Sequence, residues 1–580
     1  MYLANHRRLL CYAFLWGVPF AVSCVLGWRL VHAGTVFGPG GSAAACTGSF
    51  LGFLLETVIL SVPAAALAAL ILQGGRKKRS AGGERGGQEK RRLCERQEDN
   101  HKMADAAAGK LWQMRFFYAL AILLCWLPVF LAYYPSVFAY DAEGQLYQVI
   151  AKDYNTHHPL LHTLFLGAFF KLGEALGSYQ AGMAVHSAVQ MLLMAAAFAR
   201  ALSWLYERRS PRWIRRILLL FYGLFPAHSI LALSTTKDVL FAALVLLFTI
   251  KCCRLADCGT EASGISGRDW ASFAGIAVLM LLFRNNAVYA FAVSVPVVWI
   301  GLGARNAGSG RAARKLCLTI ALLVFALFGM CAFLLKTATH AQSGSPREML
   351  SVPLQQMARV RVMAEERLDP AMRQELDRYI PSEWVFAAYN PHLADPVKNR
   401  AVIHDDPAGL IQTWIRLGLR FPTIYVDAFL DNSLGMWYLF DTSHAEIYGI
   451  GTESGFGWLS TDNRTMPAGC EIVERSFLPG LRAFMERIVS DNAYQKLPLV
   501  RLLFAPALYW WLLWFYLVAA LYHKKKREVL PAVFLTAYYL TLLLSPTVIV
   551  RYLYPLIVTV PVILPCVLTK EADWKQENTQ

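Results

Sequence analysis

The chain has 580 residues, of which 56% are hydrophobic, 13% aromatic and only 17% charged. A soluble protein of this length would carry roughly a quarter charged residues, so a soluble globular class is excluded. The net charge of +16 sits in short loops between apolar runs, where it orients a protein in a membrane, so nucleic acid is not the implied partner.

Apolar runs of the ~20 residues needed to cross a bilayer recur along the chain. The first, about 9–31, follows His6-Arg7-Arg8, is too long for a signal-peptide core and is expected to be retained. A second at about 50–72 completes an N-terminal hairpin, residues 1–73, and the Gly-rich basic linker 74–111 is expected in the cytoplasm. Segment 112–133 leads outward and 180–204 returns. Segments 214–233 and 237–256 form a hairpin with STTKD at its tip; 270–283 and 287–303 form another tipped by RNN, and 315–336 leads outward again. Residues 112–338 thus make a membrane core, 339–498 a polar outward domain of mixed structure, 499–569 a final set of helices (499–522, 529–546, 549–568), and 570–580 a cytoplasmic tail. With about twelve transmembrane helices every strongly basic loop falls on one side. The fold class expected is an all-α polytopic membrane protein with an extracytoplasmic domain.

One run does not fit that count. If 157–177 crossed the membrane, the basic loop YERRSPRWIRR would fall outside. It also carries Lys171 and Glu174, and is expected to lie along the outer surface as an amphipathic helix. The 12 cysteines fall mostly in apolar segments or basic loops and predict neither a disulfide framework nor a zinc site.

This topology gathers polar residues at the outer face. Asp141 and Glu143 lie in YYPSVFAYDAEGQ, His157 and His158 in NTHHPLLHT, Lys237 and Asp238 at the second tip, Arg284 at the third, and Arg551 and Tyr552 at the start of the last helix. Each has a plain alternative. Asp141 can cap the helix expected from Ala142; Lys237–Asp238 can be an interfacial pair; the histidines can be interfacial polar residues; Arg284 and Arg551 can be headgroup anchors. Jointly they suit a different task. Cations at headgroup level suit a phosphate, and a carboxylate facing it suits deprotonation of a hydroxyl. Transfer of a sugar from a lipid phosphate needs that pairing, and no general acid, because the phosphate leaves readily. A lipid or glycolipid transporter is the alternative class, with the same charges lining a pathway; a non-catalytic sensor built on the polar domain is a second.

The run YPSVFAYDAEGQ, followed by HHPLLHTLFLGAFFKLGEALGS and a returning helix, resembles the opening of GT-C glycosyltransferases. It is most similar to protein O-mannosyltransferases and lipid A aminoarabinose transferases. LALSTTKDVLFAALVL resembles their second outward loop, and RYLYPLIV a C-terminal arginine–tyrosine–proline motif near the lipid phosphate. The resemblance covers about 112–305 and 499–568. It implies a polyprenyl-phosphate-linked sugar donor and a glycan, polymer or protein acceptor at the outer face of the plasma membrane, with one inverting displacement. On that pattern Asp141 is expected to take the base position, with Asp238 supporting it; Lys237, Arg284 and Arg551 are expected to hold the phosphate, and His157, His158 and Tyr552 to bind substrate beside them. Many relatives carry adjacent acids, whereas Ala142 separates Asp141 from Glu143. That spacing leaves open which of the two is the base, and whether a divalent cation binds.

Overall fold

The computed structural model describes residues 2–36, 43–74, 97–139, 141–258, 266–303, 307–403, 406–440, 463 and 466–568. Most of the linker, the expected tail, residue 140 and most of 441–465 lie outside the described residues.

Each of the twelve apolar segments coincides with one helix or a bent pair of helices. In chain order the elements begin with α1 (Tyr2–Ala33), α2 (Ala43–Gly74), α3 (Gln97–Ala132), two short helices α4 (Ala142–Ala151) and α5 (Leu160–Ala175) that belong to none of those segments, then α6 (Tyr179–Glu207), α7 (Arg212–Leu224), α8 (Pro226–Leu233), α9 (Asp238–Cys258), α10 (Gly267–Phe283), α11 (Asn285–Gly303) and α12 (Ala307–Thr339). Among the described residues eight helices are long and apolar enough to cross a membrane, or up to ten if each of two bent pairs is one span. The chain is an all-α polytopic membrane protein. One bent pair is α7 with α8, kinked by 48°, where Pro226 holds Phe225 extended and starts a new helix. The other, kinked by 72° at Pro506, comes near the C-terminus. Two further segments, α10 and the helix from Lys526 to Leu542, are 17 residues each.

Residues 157–177 do not form a span. Helix α5 covers 16 residues and docks flat on the start of α6. Its FKLG glycine permits this, since a Cβ on Gly173 would sit 2.8 Å from the Ser178 carbonyl oxygen.

The polar stretch departs from the mixed structure expected of it. Its regular elements among the described residues are helices: α13 (Ser351–Ala364), α14 (Pro370–Asp377), α15 (Ser382–Ala388), α16 (Asp395–Arg400), α17 (Pro407–Arg420), α18 (Pro422–Asn432), α19 (Leu434–Trp437) and α20 (Pro479–Val489). Asp-Pro steps start several of them. Asp369 accepts from Met372 N at 2.8 Å and Asp406 from Gly409 N at 2.8 Å, each with proline at the first helical position. Leu354, Met357, Leu376, Tyr379, Leu417 and Phe421 form a core separate from that of the bundle. The chain closes with α21 (Pro498–Phe504), α22 (Pro506–Tyr522), α23 (Lys526–Leu542) and, after a 3-10 turn at Val550–Leu553, α24 (Tyr554–Leu568).

The bundle has two unlike ends. At one, basic turns converge: Arg208 pairs with Glu528 at 3.0 Å, Arg8 donates to the Tyr522 carbonyl at 2.5 Å, and Lys525 donates to the Cys566 carbonyl at 2.7 Å. At the other end stand the polar helices and the residues singled out from the motifs.

Two sets of hydrogen bonds to backbone carbonyls bind the polar helices to that second end. Gln342 N donates to Tyr154 O at 2.8 Å and Thr156 N to Gln342 O at 3.0 Å, just before His157. Ala394 N donates to Pro546 O at 2.8 Å and the Asn432 amide to Ser545 O at 2.9 Å, just before Arg551.

Candidate functional site

The first two motifs are joined through their backbones. After α3 the chain runs extended, and Val137 N donates to Leu233 O at 3.1 Å while Thr235 N donates back to Val137 O at 3.1 Å. This parallel bridge between Val137 and Ser234 brings Asp141, at the end of one strand-like run, beside Lys237, at the end of the other. Asp141 precedes α4 but makes no side-chain cap bond. The capping alternative is therefore not realised, and the carboxylate turns to Lys237 instead.

Asp141 Oδ2 lies 2.5 Å from Lys237 Nζ and 3.4 Å from Arg551 Nη1. Arg551 Nη1 also lies 3.2 Å from Asp238 Oδ2 and donates to Thr236 Oγ1 at 3.1 Å. Asp238, whose side chain is 0% exposed, pairs in addition with Arg284. Arg284 is fixed from several directions: its Nε donates to Asn286 Oδ1 at 3.0 Å, and its guanidinium packs over the rings of Tyr552, Phe241 and Tyr538. The result is one connected chain, Lys237–Asp141–Arg551–Asp238–Arg284, in which three cations face two carboxylates. An excess of positive charge in a partly dry site favours an anion.

Exposure separates the two acids. Asp141 keeps 31% of its side chain exposed, whereas Asp238 is enclosed. Burial by itself would raise the Asp141 carboxyl, but the Lys237 ammonium and the Arg551 guanidinium outweigh it and hold it well below the usual carboxylate range. Burial lowers the Lys237 ammonium, and Asp141 opposes that shift. His158, with Nδ1 3.9 Å from Asp141 Oδ2 and 3.5 Å from Lys237 Nζ, is pushed down to about 3 by burial and is a neutral imidazole.

The structure thus brings together Asp141, His158, Lys237, Asp238, Arg284, Arg551 and Tyr552. Glu143 is half-buried on the first turn of α4. His157 packs edge-on against the His158 ring, with centroids 4.5 Å apart. Thr236 was missed by the motif reading, although it stands two residues before Asp238 and bonds both Asp238 Oδ2 and Arg551. Gln145 and His162 were missed too: their bond (3.0 Å), with that of Gln145 to Thr163 (3.1 Å), locks α4 onto α5 beneath Asp141. The signal for Gln145 was present, a polar residue one turn beyond Asp141 on a helix buried along that face.

No three His, Cys, Asp or Glu side chains gather to hold a metal ion among the described residues. Asp141 and Asp238 are instead held by cations, which is a donor set unsuited to a divalent cation.

Beside His158 opens a cavity of about 270 Å³ between α5, α10 and α12. Leu160, Leu281, Phe328 and Phe333 line it, with Asn285 and Lys336 among its few polar residues. An apolar cleft thus adjoins the charged cluster.

No curated protein and no solved structure matches the chain. A family of unknown function, DUF6020, matches residues 151–580. The match spans most of the chain, and the protein belongs to that family. Lys237, Asp238, Arg284 and Arg551 fall inside the matched residues, and Asp141 lies ten residues before they begin.

Proposed function

We propose that this member of DUF6020 is an integral membrane glycosyltransferase of GT-C type. It moves a sugar from a polyprenyl-phosphate donor to an acceptor at the extracytoplasmic face of the plasma membrane, with inversion. In this reading twelve helices cross the bilayer and the polar helices stand outside. One observation carries it: the partly exposed Asp141 carboxylate is held by Lys237 and Arg551, at the edge of a cation-rich cluster and beside an apolar cleft. Base, phosphate ligands and room for a lipid are the three parts that the reaction requires.

The chemistry follows from the pairing. In the resting site Lys237 and Arg551 hold Asp141 as a weak base. An arriving donor phosphate competes for those cations, and Asp141 regains its basicity as they turn to it. The acceptor hydroxyl oxygen then attacks the anomeric carbon, and the carbon–oxygen bond to phosphate breaks with its electron pair leaving on the lipid phosphate. Asp141 takes the hydroxyl proton. Asp238, enclosed and paired to two arginines, orients Arg551 and Arg284. His158, uncharged, offers a neutral hydrogen-bonding partner at the rim. The polar helices select the acceptor. A transporter or flippase would line a path through the bundle, whereas these charges gather at one end.

The test is transfer from synthetic polyprenyl-phosphate sugars by the purified chain, alongside mass spectrometry of envelope glycans with and without the protein. No transfer from any such donor, together with unchanged glycans, would remove the reading.

A further inference from the structure

At the basic end of the bundle a second cavity, of about 400 Å³, lies between α9, α10, α11, α12 and α23. It is the size of a small-molecule site, ~300–1,000 Å³. Its walls are apolar, including Phe248, Trp270, Phe291, Leu316 and Phe534. Its hydroxyl, on Ser294, already donates to the Ala290 carbonyl at 2.6 Å, so the walls ask for a hydrocarbon guest. The cavity is remote from the charged cluster. Along α9, which begins at Asp238, its lining starts at Phe248 and ends at Ala256, about 15–27 Å away at the helical rise.

The mouth has its own chemistry. Trp270 stands there, a residue suited to the boundary between lipid and water. Arg268 precedes it and is exposed, and so is Arg311, which precedes the lining residues Ala312 and Ala313 of α12; Arg314, one turn on, donates to the Trp299 carbonyl at 3.1 Å. Two nearby acids are taken up: Asp269 pairs with Lys251 at 3.1 Å and Glu528 with Arg208 at 3.0 Å. Arg268 and Arg311 thus stand exposed beside an apolar slot between long apolar helices, and such a basic pocket is complementary to an anionic lipid head.

We propose that this cavity seats an acyl chain of an anionic glycerophospholipid drawn from the leaflet at the basic end, with Arg268 and Arg311 beside the headgroup. The inference does not depend on the reaction assigned to the opposite end. It is tested by native mass spectrometry of the full chain after exposure to phosphatidylglycerol, to phosphatidylcholine of the same acyl chains, or to undecaprenyl phosphate. Wild type should retain phosphatidylglycerol in preference to phosphatidylcholine, and Ala313→Trp or the milder Ala313→Leu should lose it by filling the slot. Arg268→Gln and Arg311→Gln, both at exposed positions, should each lower the preference about fivefold, the worth of one cation near a headgroup. Equal retention of both phospholipids by wild type overturns the proposal, as does an undiminished preference in the arginine variants. Undecaprenyl phosphate displacing phosphatidylglycerol, in a manner blocked by Ala313→Leu, overturns it as well, because the slot would then belong to the donor.

Discussion

Replacing Asp141 by asparagine separates proton acceptance from everything else the residue does. The amide matches the carboxylate in volume and cannot take a proton from a hydroxyl. General-base catalysis is typically worth ~10²–10⁴-fold, so transfer should fall at least about a hundredfold, or ~2.7 kcal/mol of barrier. The fold should pay less. Breaking a fully buried pair costs about 3–5 kcal/mol, but Asp141 keeps 31% of its side chain in contact with solvent, and Arg551 retains Asp238 at 3.2 Å. The loss of stability should therefore fall below that range. Donor binding should hold or tighten, because Lys237, 2.5 Å from the carboxylate in the resting site, no longer has it as a competitor for the phosphate. Single-turnover sugar transfer, measured alongside equilibrium binding of the lipid donor, reads both quantities. Lost binding in Asp141→Asn would refute the reasoning, since Asp141 would then hold the donor or the fold. A large loss in Glu143→Gln beside a mild one in Asp141→Asn would move the base to Glu143.

Arg551→Lys should weaken donor binding more than it lowers thermal stability, because lysine keeps the charge but cannot bridge Thr236 and two carboxylates with one planar group; equal donor use by the variant would count against the phosphate role. Asp238→Asn should reverse that order, lowering the melting temperature more than Asp141→Asn does, because it strips the enclosed partner from two arginines. Since burial pushes His158 down to about 3, its ring stays neutral between about pH 5 and 8. Donor binding should accordingly show no histidine inflection there in wild type or in His158→Asn, and an inflection abolished by the substitution would contradict the assignment. Cysteines placed in a cysteine-free background at the exposed positions Asp153 and Met349 should both react with an impermeant maleimide in intact cells, and one at Arg209 should not; labelling of only one of the first two would break the proposed orientation.

Much of this was legible in the chain because bilayer physics writes long signals. Apolar length located the twelve helical segments, and the described basic turns around Arg8, Arg208 and Lys525 meet at one end. Pro226 and Pro506 were visible punctuation at the two bends, yet hydropathy averages across a proline and returned one segment where the structure has two helices. The Asp-Pro steps of the polar stretch were equally visible, and its mixed aromatic and polar composition masked them. The site was partly legible: ionisable residues flanking apolar runs named its members. Their partners were not. That Asp238 pairs with Arg284 and with Arg551, 313 residues away, depends on how the helices assemble. The bridge from Val137 to Ser234 likewise leaves no local trace in either motif.

The backbone bonds from Gln342 to Tyr154 and Thr156, and from Ala394 to Pro546, bear on how such a protein can be modified by exchange of parts. A swap of the polar helices for those of a relative would look modular by its core, which is self-contained around Leu354 and Tyr379. It would not be modular at its margins. The segments 153–158 and 543–549 act as fittings cut to match this particular cap, and each runs directly into residues of the charged cluster. A working graft has to carry both fittings along with the cap, or arrive with His158 and Arg551 out of alignment.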